Sequence, residues 1–269
     1  MATHHHISVK KTGGVAIVAL LITWIAMAFP VNATRATGAL LGGILPALFW
    51  LWFWLREDKV HPEPKKIIFE AFIFGIIAVP IAIFFEKITF EFIGGLSLLL
   101  FFLWAIIEEA LKYVAAFFAG IRTEYFDEPI DVVMYMISAA LGFSAGENVL
   151  FIFSTFQTGT LADGLALLQL RFIGASLLHV ASSALIGFSI GFSVGQKTWK
   201  RLLHLLVGLS LAFALHTAFN YFIMITEGKF LLNIFALLWV VIILIIVLFE
   251  KIKRAPFYIF SLQPKKPDS

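Results

Sequence analysis

The chain has 269 residues, 61% of them hydrophobic and 14% charged, with a formal net charge of +3. A soluble domain is roughly a quarter charged, so this composition describes a polytopic membrane protein and excludes an ordinary soluble one. The chain has no cysteine, which excludes disulfide and thiol chemistry, and its small positive excess is loop lysine and arginine rather than a nucleic-acid surface.

A spanning helix needs about 20 apolar residues. In chain order the segments predicted to span are roughly 14–31, 38–55, 67–85, 96–119, 131–154, 165–195, 202–225 and 230–250. The first is too long for a signal-peptide core and lacks a small-residue cleavage site after it, so it is expected to stay as a helix. The segment 165–195 is too long for one straight crossing. It is expected to start as an interfacial stretch near Leu161–Leu170, to tilt, or to break at Gly174. Trp50, Trp52 and Trp54 suit an interfacial belt. Gly142-x-x-x-Gly146 and Gly187-x-x-x-Gly191 suit close helix packing.

Basic residues set the expected orientation. With the N-terminus inside, fifteen lysines and arginines fall on cytoplasmic loops and three, Arg35, Lys87 and Lys229, fall outside. That asymmetry predicts an even number of spans and two cytoplasmic termini. The expected fold is therefore all-α. It is a polytopic transmembrane helix bundle of about eight spanning helices, forming a single integral membrane domain over residues 1–269 in the cell membrane.

Several polar residues sit where lipid would reject them. Glu108, Glu109 and Lys112 lie in the middle of the apolar run 96–119, where a charge costs at least about 2.5 kcal/mol. Further along stand Glu147 with Asn148, His179 with Ser182 and Ser183, and His216 with Asn220. Glu108 and Lys112, His179 and Ser183, and His216 and Asn220 are each four residues apart, which puts each pair on one helix face. A rise of about 1.5 Å per residue brings Glu147, His179 and His216 to similar depths.

Those residue types suggest hydrolysis. Glu147, His179 and His216 form a two-imidazole, one-carboxylate set that suits a divalent metal, zinc before magnesium, with a place left for water. Glu108 or Glu109 would take a proton from that water, Glu108 being favoured because it shares a face with Lys112. Asn220 would donate to an oxyanion. A metal-free alternative has a glutamate activate water directly, with His179 orienting it. A different class, an ion- or proton-coupled transporter using the same groups as a relay, is disfavoured by the lack of a visible inverted repeat.

Taken in order, Glu108-Glu109-x-x-Lys112, Phe143-x-x-x-Glu147-Asn148, His179-x-x-x-Ser183 and His216-x-x-x-Asn220 resemble the motifs of PrsW-type intramembrane proteases. The loop from Arg56 to Pro64 resembles that family's acidic Glu-Pro segment, and the resemblance covers about residues 45 to 225. It implies a peptidase that cuts membrane-anchored protein substrates such as anti-sigma factors on the extracytoplasmic side. The family is distantly similar to CAAX prenyl endopeptidases and bacteriocin-processing peptidases, which use paired glutamates and two histidines. Their phenylalanine-x-x-x-histidine motif is replaced here by Phe143-x-x-x-Glu147, which leaves both the metal-assisted and the metal-free route open.

Overall fold

A computed structural model describes residues 33–58 and 62–254. The segment 14–31, expected to span, lies outside the described residues. Everything regular among the described residues is helical: α1 (Ala33–Glu57), α2 (Lys65–Ile93), α3 (Leu98–Ala116), α4 (Asp131–Thr158), α5 (Leu161–Leu170), α6 (Ser176–Gly191), α7 (Thr198–Ile225) and α8 (Leu231–Ile252). Wider π-helical turns, Phe117–Ile121 and Arg171–Ala175, extend α3 and join α5 to α6. Local chemistry marks the starts. The Ser97 hydroxyl accepts the Leu100 N–H at the head of α3. Thr160 and Asp163 cap α5 reciprocally, each side chain taking the other's backbone N–H.

Among the described residues, six stretches are long and apolar enough to cross a membrane: Thr34–Glu57, Lys65–Ile93, Asp131–Thr158, Ala162–Gly191, Thr198–Ile225 and Leu231–Ile252. Helix α3 with its π turn is also long, but its three charged residues, Glu108, Glu109 and Lys112, keep it out of that set on composition. The expected break in the long sixth segment falls on the π turn that contains Gly174. A π turn rotates the helix beyond it, so α6 presents a different face from the one a continuous helix would show.

Helix α4 forms the centre and is buried along most of its length, with α1, α2, α3 and α6 packed around it. Lipid-facing surface falls to the outer helices, where large apolar side chains such as Phe92, Leu232 and Leu237 are exposed. The contact of α2 with α4 is made backbone to backbone. A Cβ on Gly142 would stand 1.9 Å from the Phe72 carbonyl oxygen, and one on Gly75 would stand 2.0 Å from that of Ala139. The Gly187–Gly191 ridge of α6 meets the start of α4 in the same way, 2.8 Å from Val133 Cα and 2.4 Å from the Pro129 carbonyl. The tryptophan belt is only partly as expected. Trp52 is 51% exposed, but Trp50 and Trp54 are turned inward, and Trp50 Nε1 donates to the Phe172 carbonyl at 3.0 Å. Residues four apart share a helix face, so Trp50 and Trp54 go together while Trp52 points away.

Candidate active site

Four helices bring the intramembrane polar residues together. On α3, Lys112 is fully buried and its ammonium reaches Glu108 Oε2 at 3.2 Å, Glu109 Oε1 at 2.8 Å and His179 Nδ1 at 2.7 Å. An ammonium has three protons, and here each has an acceptor. Its charge also lies 4.5 Å from the Phe143 ring centre, a cation–π contact.

The paired glutamates have different surroundings. Glu109 is fully buried. Its Oε1 takes the Ser182 hydroxyl at 2.9 Å and His216 Nδ1 at 2.9 Å, and its Oε2 takes the Ser183 hydroxyl at 2.8 Å. With Lys112 that makes four donors on one carboxylate, enough to hold it ionised and still. Glu108 has Lys112 as its hydrogen-bond donor among the described residues, and its Oε2 faces both imidazoles. The distances are 3.6 Å to His216 Nε2 and 3.7 Å to His179 Nδ1. Glu108 Oε1 takes no hydrogen bond from the described residues.

Each imidazole is held from behind by a carboxylate. Glu109 takes Nδ1 of His216, and Glu147 Oε2 takes Nε2 of His179 at 3.0 Å. Ionised carboxylates only accept, so the assigned tautomers put the protons on those two nitrogens. The lone pairs then lie on His216 Nε2 and His179 Nδ1, both turned toward Glu108. The rings stand 5.3 Å apart, nearly perpendicular. Glu147 is itself fixed by Arg171, whose Nη2 is 2.9 Å away, while Arg171 Nε donates to Asn148 Oδ1. The Asn148 amide donates to Ser176 at 3.2 Å, tying α4 to the base of α6.

The carboxylate and ring nitrogens of Glu108, His179 and His216 lie within 4.8 Å of one another and are all buried. Glu147, expected with the histidines, joins them at the far nitrogen of His179 instead. Asn220 lies one turn beyond His216 on α7, half-buried and without a hydrogen bond among the described residues. Two participants were not singled out in the sequence. Arg171 reads there as a segment-end charge, and only the π turn beneath it aims it at Glu147. Glu86, on α2, has a buried Oε1 without a hydrogen-bond partner among the described residues. The signal that would have revealed it is a carboxylate inside an apolar run that extends to Ile93.

Comparison with protein families matches residues 63–248 to the PrsW family intramembrane metalloprotease. The chain belongs to the PrsW family. Similar curated PrsW proteins, each named Protease PrsW, agree. That of Geobacillus kaustophilus is 27% identical, over 80% of this chain and 91% of its own length. That of Oceanobacillus iheyensis is 29% identical over 80% and 95%. That of Bacillus subtilis is 30% identical over 57% and 66%. No solved structure matches. A multi-pass membrane protein of the PrsW family is a protease, with a protein substrate and a membrane environment.

The PrsW family's metal can be tested against these residues. His216 Nε2 is buried and has no hydrogen-bond partner among the described residues, although burying a bare acceptor costs about 1–3 kcal/mol. Ligand atoms on tetrahedral zinc stand about 3.3 Å apart, close to the 3.6 and 3.7 Å found here. Glu108, Glu109 and Glu147 against Lys112 and Arg171 leave one negative charge in excess. Nitrogen, nitrogen and carboxylate oxygen, each imidazole backed by a carboxylate, is the donor set of a catalytic metal centre. The residues present fit a divalent ion provided that Lys112 Nζ gives up its contacts with His179 Nδ1, at 2.7 Å, and Glu108 Oε2, at 3.2 Å.

Proposed function

We propose that this chain is an intramembrane endopeptidase that cuts membrane-anchored proteins, with Glu108 as its catalytic carboxylate. One observation supports the reading: two imidazoles, each fixed from behind by a glutamate, turn their unprotonated nitrogens toward the same Glu108 oxygen, with His179 Nδ1 also taking a Lys112 proton at 2.7 Å. Glu108 Oε1 is left to take a proton from the attacking water and return it to the leaving amine. Glu109 and Glu147 set the tautomers of His216 and His179. The Asn220 amide, one turn from His216, donates to the oxyanion of the tetrahedral intermediate.

His179 Nδ1, His216 Nε2 and Glu108 Oε2 would hold a divalent ion, zinc by its preference for imidazole. Bound there, it would supply Lewis acidity and lower the pKa of water. Family membership favours hydrolysis over the transport relay. We further propose eight spans with both termini cytoplasmic, all in one membrane domain, and anti-sigma-factor-like substrates. The test is Glu108→Gln, which keeps volume and loses the base. Cleavage of a membrane-anchored reporter by purified protein should fall at least about 10²-fold, with helicity unchanged. Parental turnover in a folded variant would reject the assignment.

A further inference from the structure

A second group of acids lies at the other end of α4. Glu63 lies in the α1–α2 connection two residues before α2, Asp127 lies in the turn before α4, and Asp131 is the first residue of α4. One carboxylate oxygen from each lies within 4.8 Å of the others. Glu147 is sixteen residues further along α4, about 24 Å away along its axis. This group is therefore separate from the candidate active site.

Its hydrogen-bond inventory does not close. Asp131 is fully buried, and its Oδ2 takes the backbone N–H groups of Asp127 at 2.9 Å and Glu128 at 2.6 Å. Its Oδ1 is buried with no hydrogen-bond partner among the described residues. One carboxyl oxygen of Asp131 lies within 4.8 Å of one of Glu63, yet as carboxylates both only accept. The Tyr135 hydroxyl reaches both Glu63 Oε2 and, at 3.0 Å, the Tyr125 carbonyl, with a single proton for the two. Among the described residues no lysine or arginine forms an ion pair with Glu63, Asp127 or Asp131. Three carboxyl groups thus gather around a buried oxygen that is unpartnered among the described residues, and a cation or a proton must close the group.

We propose that Glu63, Asp127 and Asp131 bind a hard divalent cation of the calcium class, which clips the start of α2 to the start of α4. The donors are all oxygen, which hard cations select and zinc does not. Calcium takes six to eight oxygens at about 2.3–2.6 Å in flexible geometry, which a loop, a turn and a helix start can supply, whereas magnesium demands a near-ideal octahedron. Asp127 is exposed and gives the ion a way in. The competing closure is a proton shared between Glu63 and Asp131, since burial pushes the Glu63 carboxyl up.

Terbium, a calcium surrogate whose emission is sensitised by nearby tyrosine, separates these closures. The full chain, purified in detergent and stripped with chelator, is titrated with Tb3+ under aromatic excitation and then with Ca2+. One saturable site displaced by Ca2+ is expected. Its affinity should fall at least tenfold in Asp127→Asn, an exposed position whose carboxylate takes no hydrogen bond from the described residues, and in Asp131→Asn, which keeps an acceptor for the backbone N–H groups. It should be unchanged in His216→Gln, which alters the imidazole site. No saturable binding, parental affinity in Asp127→Asn, or loss of the site in His216→Gln would each overturn the proposal.

Discussion

Replacing Lys112 by methionine keeps the stem and removes the charge. The ammonium is fully buried and is bonded to Glu108, Glu109 and His179. Its loss leaves Glu109 an uncompensated anion at 0% exposure, still held by Ser182, Ser183 and His216. Breaking a buried pair in this way costs about 3–5 kcal/mol, a large part of the roughly 5–15 kcal/mol that stabilises a typical fold. At about 2–4 °C per kcal/mol for a chain of this size, Lys112→Met should lower the unfolding midpoint by roughly 6–20 °C. The diagnostic step is the double variant Glu109→Gln/Lys112→Met. With both charges removed, much of the loss should return, giving a coupling of about 2 kcal/mol or more. Circular dichroism on detergent-solubilised protein, heated at one pH and salt concentration, reads all four corners of the cycle. A Lys112→Met midpoint within a degree of the parent, or single effects that simply add, would refute the claim that the ammonium compensates the Glu109 charge.

The packing and the charge pattern each give a further expected outcome. Gly142→Leu places a side chain where even a Cβ would stand 1.9 Å from the Phe72 carbonyl oxygen. We expect a loss of more than about 3 kcal/mol or failure to fold, read as midpoint or yield, and a near-parental variant would deny the close α2–α4 contact. For the proposed orientation, a cysteine at Gly159 should react with an impermeant reagent on intact cells and one at Thr198 should not; the reverse labelling would invert the topology.

The charged core was legible in the sequence for a simple reason: ionisable groups in an apolar run need partners. Glu108, Glu109, His179 and His216 stood out by depth alone. Depth does not give azimuth, however. That Glu147 takes the outer nitrogen of His179 while Glu108 faces the inner one depends on the rotation of α3 and α4 about their own axes, which periodicity does not resolve. Arg171 was hidden further, because its direction depends on a π turn that no residue pattern announces. Glu63 and Asp131 lie at helix starts, where acids are ordinary and draw no attention. The inward turn of Trp54 was readable from its four-residue spacing to Trp50, but the aromatic cluster suggested the lipid interface first.

The bare backbone contact between α2 and α4 also constrains movement. With carbonyl groups seated directly over Gly75 and Gly142, sliding one helix along the other by a single residue would drive a β-carbon into a peptide oxygen. These two helices can pivot about that point, but they cannot shear. Helix α7, which carries His216, is much less enclosed, with only 28% of its most apolar stretch buried against 78% for α4. Any widening that lets an extended polypeptide reach Glu108 therefore has its softest direction along the α7 flank, with α2 and α4 acting as the fixed wall.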